Sequence, residues 1–400
     1  MSGADPTKQL YSNQSTLVKL IANDQSILMH KGYTTTALYA TDYLSKTTPI
    51  GQQANFGGQD HFQVLKRGGR IFEAYLRVTI SAATLAAGHE AAYVDDLGTL
   101  ICENVETNYS SKPFQAYRGD FLKAYNRLMY HDVAREGYIA QTLSGMAPGG
   151  ADEVTREANL TNGITLLVPL SWLWFTRELD YAFTPEAISG NMDVFVDYRR
   201  FQQLIYARVT ATGLTPVGDA WLTVQPQITK CELVLPIIHD TKVHKALHLS
   251  TFEQRQGNVF KLLDVEQQLR KVVPAAANAA LSIKLENFRL DSQFLVFYMR
   301  DSLINTDYAI DRGQSDTTAT GLTGGGSVAA LQQILSFRVL ANGGTLVDRC
   351  TDLENRAIWR PRHFPGSQIG EYYYIIPWSL FCRENRNVSS FQNMVSSFPS

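Results

Sequence analysis

The chain has 400 residues, with 36 Lys and Arg against 38 Asp and Glu, a formal net charge of −2. That balance excludes a protein held to nucleic acid by a basic excess. Charged residues make up only 18 %, below the ~25 % of typical soluble domains, while Tyr and Phe number 19 each. Such a composition suits wide contact with other subunits. At ~150 residues per domain the length gives two or three domains, or two large β domains, with a core that needs no disulfide or metal staple.

The elements follow in chain order. Residues 1–34 form an N-terminal arm, and Thr34–Asp42, β-branched and aromatic, reads as the first strand. Within Ile71–Ile80 the residues Ala74, Leu76, Val78 and Ile80 alternate with Glu73, Tyr75, Arg77 and Thr79, a half-buried strand. Leu100–Asn108 is a second strand, followed by the turn-rich Asn108–Pro113. Gly119-Asp120 opens a helix: Asp120 can cap it, and Phe121, Ala124, Tyr125 and Leu128 recur at helical spacing. The polar, Gly-rich stretch 145–163 reads as an exposed loop. Ile164–Phe175, Met192–Arg200 and Ile228–Ile238 are further strands.

After a polar or helical stretch at 239–257 a second set begins. Val259–Val265, Ala280–Phe288 and Phe294–Arg300 read as strands, Leu281, Ile283 and Leu285 alternating with polar neighbours. Residues 312–327 are a loop by composition. Ile334–Leu340 and Thr345–Asp348 flank Asn342-Gly343-Gly344, a hairpin signal. Glu371–Leu380 is the last strand. The order of elements agrees between the halves. Each half runs from an alternating strand through strand–turn–strand and a polar or helical piece to an aromatic run with Pro and Trp, Val168–Trp172 and Ile376–Leu380. Strands dominate and helices are short, which favours antiparallel sandwiches over a parallel sheet.

Motifs that carry chemistry are absent. Gly321–Ser327 lacks the Lys of a phosphate-binding loop, and neither GxSxG nor HxH occurs. The best metal candidate is His239, Asp240, His244 and His248, the last three four apart on one helical face. Lys242 and Lys245 beside them point instead to a solvated connection. Asp95-Asp96 diverge on any regular element and read as a turn or cap. Tyr372-Tyr373-Tyr374 reads as a strand with Tyr on both faces, one in the core and one at an interface. Tyr198-Arg199-Arg200 and Arg356–Arg362 are the densest basic stretches. The second, with Trp359 and His363, could face an acidic partner or a neighbouring subunit. Cys102, Cys231, Cys350 and Cys382 contain no CxxC and read as reduced, mostly buried thiols. No basic segment followed by an apolar run opens the chain, so no secretory signal is expected, and the sequons at Asn13, Asn108, Asn159 and Asn387 are chance matches. The most apolar run, Ile164–Phe175, is well short of the ~20 residues of a spanning helix.

The order of these segments resembles the double jelly-roll major capsid proteins of nucleocytoplasmic large DNA viruses and of virophage- and polinton-like viruses. The matching segments are Gly68-Gly69-Arg70-Ile71 through Ile80, Asp95–Asn108 running into Gly119–Leu122, Val168–Arg177 and Met192–Ile205. In the second half they are Phe288–Arg300, Ile334–Leu346 and Tyr372–Leu380. Each motif alone is loose; their order and spacing carry the likeness. Family members run several more strands past the last segment, whereas Phe381–Ser400 alone follow here: either the second barrel is shorter or rearranged, or the chain is truncated, or the boundary near residue 249 lies too late.

The resemblance implies an all-β chain of two tandem eight-stranded antiparallel jelly rolls, the first over 35–249 and the second over 250–400. It implies a structural capsid protein, not an enzyme, whose homotrimers form pseudo-hexameric blocks of an icosahedral shell. Its partners would be itself and other capsid proteins (minor, penton and cement), with no direct nucleic acid, no small-molecule substrate, no cofactor and no catalytic or metal-binding residue. Its place would be the virion, assembled in the host cytoplasm. The alternatives are a minor capsid, penton or scaffold protein of the same lineage, and a carbohydrate-binding β-sandwich, which would need exposed aromatic platforms.

Overall fold

The computed structural model describes residues 41–66, 69–71, 73–94, 97–129, 153–170, 185, 190–209, 213–214, 222–239, 265–266, 268, 280–285, 294–299, 333–341, 344–364 and 373–378. The N-terminal arm, Asp95-Asp96, Trp172, the loop 312–327 and all but the last residue of the strand expected at Val259–Val265 lie outside them, as do Asp240, His244, His248, Tyr372 and Cys382.

Eight strands build the two main sheets of the first half: β1 (Thr41–Thr47), β2 (Gln59–Gln63), β4 (Tyr75–Ile80), β7 (Cys102–Tyr109), β8 (Lys112–Arg118), β9 (Ile164–Pro169), β10 (Met192–Tyr198) and β14 (Ile228–His239). They form two antiparallel sheets, ordered β1-β14-β4-β9 and β2-β10-β7-β8. The first of the eight pairs with the eighth, the second with the seventh, the third with the sixth and the fourth with the fifth. This nesting is one long two-ribbon hairpin rolled up and closed by the β14–β4 and β10–β7 ladders. It is a jelly roll. The remaining strands, β3 (Arg70–Ile71), β5 (Thr84–Leu85), β6 (His89–Tyr93), β11 (Ile205–Val209), β12 (Gly213–Leu214) and β13 (Leu222–Val224), add one pair on β14 and two small sheets.

Period-two patterning places the core. On β4, Leu76, Val78 and Ile80 are buried; on β9, Leu166 and Val168; on β10, Val194 and Val196; on β14, Leu233, Leu235 and Ile237. All belong to one cluster between the two sheets, as expected when each sheet turns one face inward. The tip of the β7–β8 hairpin is Ser110-Ser111, both left-handed (φ 48° and 65°), the two-residue turn whose twist matches the strands.

The stretch read as a loop at 145–163 is corrected in its second part: Glu153–Asn162 is a helix. Its composition is polar, yet Leu160 is 0 % exposed in the core and its carbonyl accepts from Ala83 N at 2.9 Å. One buried leucine and good helix formers outweigh a polar average. Gly163, at φ +80°, ends the helix where a side chain would press on Ile80 O at 2.9 Å. A one-turn helix, Leu97–Leu100, also precedes β7, which starts at Cys102 and not at Leu100.

The second half contributes β15 (Phe294–Phe297), β16 (Ser336–Ala341), β17 (Gly344–Thr351) and β18 (Tyr374–Pro377). β16 and β17 form the expected hairpin, and β15 pairs with β18 around it. That repeats the nested β4·β9 and β7·β8 pairs. The helix after the hairpin repeats too: Gly119–Met129 follows β8, and Asp352–Glu354, the π-helical turn Asn355–Trp359 and Arg360–His363 follow β17. The strand expected at Ala280–Phe288 is not found over 280–285: no ladder forms there, and Leu281, Ile283 and Leu285 are all exposed. Alternation marks a strand only where a partner ladder exists, and here Lys284 O accepts a side-chain bond from Gln268 instead.

Candidate functional site

A set of polar groups inside the first roll is engaged across its strands. The Tyr198 hydroxyl donates to Asp60 Oδ2 at 2.8 Å and lies 2.9 Å from Cys231 Sγ, joining β10, β2 and β14 inside the barrel. The loop before β2 plugs the end of the sheet. β1 stops at Thr47 opposite Leu233, leaving the backbone of β14 open beyond it. Gln53 fills the gap, donating to Ile228 O (2.7 Å) and accepting from Cys231 N (3.0 Å), while Asn55 Oδ1 accepts from Ile228 N (3.0 Å). Buried backbone groups demand such partners. Tyr198→Phe strips Asp60 of a buried donor. It should cost about 1–2 kcal/mol, read as a lower denaturation midpoint; an unchanged midpoint would refute the role.

None of these groups is an activated nucleophile. Burial pushes the Cys102 thiol up to about 12, against a smaller opposing pull from Arg199. Burial likewise raises the Cys231 and Cys350 thiols. All three stay protonated near neutrality and are poor attackers. The Tyr198 phenol is raised as well, by burial first, then by Cys231 and Asp60.

Each half pins its helix with a buried ion pair. In the first, Arg199 reaches Asp120 in the helix's first turn, and its backbone N donates to Ile101 O at 2.9 Å. In the second, Asp352 accepts two bonds from Arg356, one from Gln333 (2.8 Å) and one from Tyr374 (2.8 Å). Thr351 and Glu354 close a capping box over the same turn. Asn355 bonds both N and O of Ile375, and Arg360 donates to Tyr373 O. The basic stretch Arg356–Arg362 is therefore not one solvated cationic face. Arg356 and Arg360 are internal struts, and Arg362 remains exposed. Tyr373 and Tyr374 are both buried, where the sequence suggested one core and one interface residue.

The outer face of the β2-β10-β7-β8 sheet carries cross-strand pairs. His61 stacks on Phe195 (4.4 Å between centroids) and reaches Asp193 at 3.0 Å. An open groove of about 470 Å³ is lined by Gly57, Gly58, Gln59, Glu103, Asn104 and Asp197 among others. Its Asp197 accepts from Gln59 (2.7 Å) and Asn104 (3.5 Å), and its Glu103 lies 4.0 Å from Arg118. These carboxylates stitch strands together. Among the described residues no three His, Cys, Asp or Glu side chains gather as a metal site. Of the four candidate ligands only His239 is described, as the last residue of β14. At the sequon Asn159 the side-chain nitrogen that would carry a glycan is buried.

No family model matches the sequence, and no curated protein matches it either. Solved structures do. The capsid of the PBCV-1 virus aligns with a TM-score of 0.61 at 13 % identity, over 88 % of this chain and 81 % of that one. The Faustovirus major capsid protein aligns at 0.53 and 12 %, over 96 % and 92 %. The Sputnik virophage structure aligns at 0.50 and 9 %, over 87 % and 78 %. The chain has the double jelly-roll fold.

Within the double jelly roll, the ion pairs at Asp120 and Asp352 occupy matching places, each in the first turn of the helix after a hairpin. The Asp352–Arg356 pair was open to sequence reasoning, since a carboxylate and an arginine four apart meet on one helical face. Arg199–Asp120 spans 79 residues and left no local signal. The two rolls meet where Leu128, late in the first helix, is buried with Phe364 and Ile375 of the second.

Proposed function

We propose that this protein is a major structural subunit of an icosahedral virus shell, that it works as a homotrimer, and that it is not an enzyme. The observation that carries the reading is the tandem repeat. One complete roll is followed in the same chain by a second nested set of paired strands with a helix after its hairpin, in the architecture of proteins described as virus capsids. Three such chains supply six similar wedges, and a head-to-tail contact that closes after three chains yields a hexagonal block able to tile a surface. The rolls span 35–249 and 250–400 in this reading, after an arm over 1–34. Its partners are further trimers and minor, penton or cement proteins, and its place is the virion, assembled in the host cytoplasm. The buried, protonated thiols and internally engaged carboxylates support a scaffold and not a catalyst.

Light scattering on purified protein at micromolar concentration tests the trimer. The expected mass is three times the 44.7 kDa chain, with a hexagonal outline in negative stain. A chain that stays at 44.7 kDa would overturn the reading, because a capsomer needs large, stable interfaces.

A further inference from the structure

The contact between the two rolls inside one chain predicts the contact between chains. Leu128 of the first roll's helix is buried on a patch made by Ile375, Phe364, Phe294 and Val296. Register fixes which face that is. Val296 stands opposite Ile375, and Phe294 opposite Pro377. Their strand neighbours Leu295, Phe297 and Ile376 turn the other way and join Val339 and Trp378 in the second roll's interior. The first roll's helix therefore lies on the outer face of the β15·β18 pair.

The same face exists in the first roll, residue for residue. Tyr75 stands opposite Pro169 as Phe294 does opposite Pro377, and Arg77 opposite Leu167 as Val296 does opposite Ile375. Leu76, Val78, Leu166 and Val168 fill the interior, while Tyr75, Arg77 and Leu167 are half-buried on the outside. The matching helical segment of the second roll, 352–363, leaves Leu353 68 % and Ile358 57 % exposed. Nearby Leu335 is 56 % exposed, and its carbonyl accepts from Asp352 N. The first roll's helix thus presses on an outer sheet face of the second, each roll has such a face, and among the described residues the chain joins one such pair.

We infer that the helical segment 352–363 docks on the outer face of β4·β9 in a second copy of this chain. Leu353 and Ile358 cover Tyr75, Leu167 and the stem of Arg77, repeating between chains the contact that Leu128 makes within one. The occupant is a second copy because the complementary pair is already realised inside the chain. A heterologous contact of this kind closes into a ring of six rolls after three chains. The inference rests on the trimer reading above and assigns its faces.

Cysteine pairing tests it in the full chain. Ile358→Cys combined with Leu167→Cys should give a covalent trimer on mild oxidation, while either single variant stays at monomer mass in denaturing gels. Leu353→Asp with Ile358→Asp, both at exposed positions, should lose the trimer peak and run as a folded monomer with the wild-type far-UV circular dichroism. If wild type is a trimer and either the cross-link fails or the Asp pair leaves the trimer intact, this assignment of faces is overturned. If wild type is itself a monomer, the trimer reading falls with it.

Discussion

Gly119→Ala is expected to abolish folding of the first roll, or to cost about 4 kcal/mol or more where soluble protein is recovered. Gly119 is the joint between β8 and the helix that follows. A Cβ there would overlap the carbonyl oxygens of Cys102 and Thr99. Neither can retreat. Cys102 is paired with Tyr198 across the ladder, Thr99 is buried, and the intervening Ile101 carbonyl is held by Arg199 N. Native interiors give little ground to an added methyl, and backbone gives least. Gly51→Ala is the control: its φ is +89°, but nothing lies within 4 Å of the new carbon. That change should cost about 1 kcal/mol, from backbone conformation alone. Urea midpoints of the two variants decide the matter, and equal losses would sink the close-approach argument.

The sheets were legible in the sequence wherever one face is buried and the other wet. Tyr75–Ile80 and Met192–Tyr198 alternate because each strand separates a core from an outer surface, so pattern and structure report the same fact. The β16–β17 hairpin was legible because an Asn-Gly pair between two apolar runs is a strong hairpin signal. Legibility failed where tertiary contact decides. Glu153–Asn162 is helical on the strength of a long-range anchor at Leu160, which no local average shows. Leu281–Leu285 alternates but finds no partner ladder among the described residues. Of the candidate site, only the Asp352–Arg356 pair, four residues apart, could be read locally. The buried ion pairs that brace the two helices depend on which arginine reaches which turn. For Arg199 that is set by the return of β10 beside β7, a property of the roll and not of its local sequence.

Asp352→Ala should destabilise the second half by about 3–5 kcal/mol, because it leaves the guanidinium of Arg356 buried without its counter-charge. The carboxylate also receives Tyr374 and Gln333, so two further donors lose their acceptor. Loosening should therefore spread to β18 through Tyr374, whose ring stacks on Phe297 at 5.5 Å. Amide exchange would show it as lost protection in β15 and β18 with β4 and β9 unchanged. The carboxylate's titration gives a second handle. Burial alone would push its pKa up. Hydrogen bonds from Arg356, Gln333 and Tyr374, with the charge of Arg356, outweigh that and hold it below the ordinary carboxylate value. A group depressed on folding stabilises the fold fully above its unfolded pKa of about 3.9, and the gain disappears as pH falls through the lower folded value. Wild type should accordingly lose midpoint stability below about pH 4 more steeply than Asp352→Asn, which has no proton to take up there. Parallel curves for the two proteins in that range would show that the carboxylate does not brace the helix through its charge.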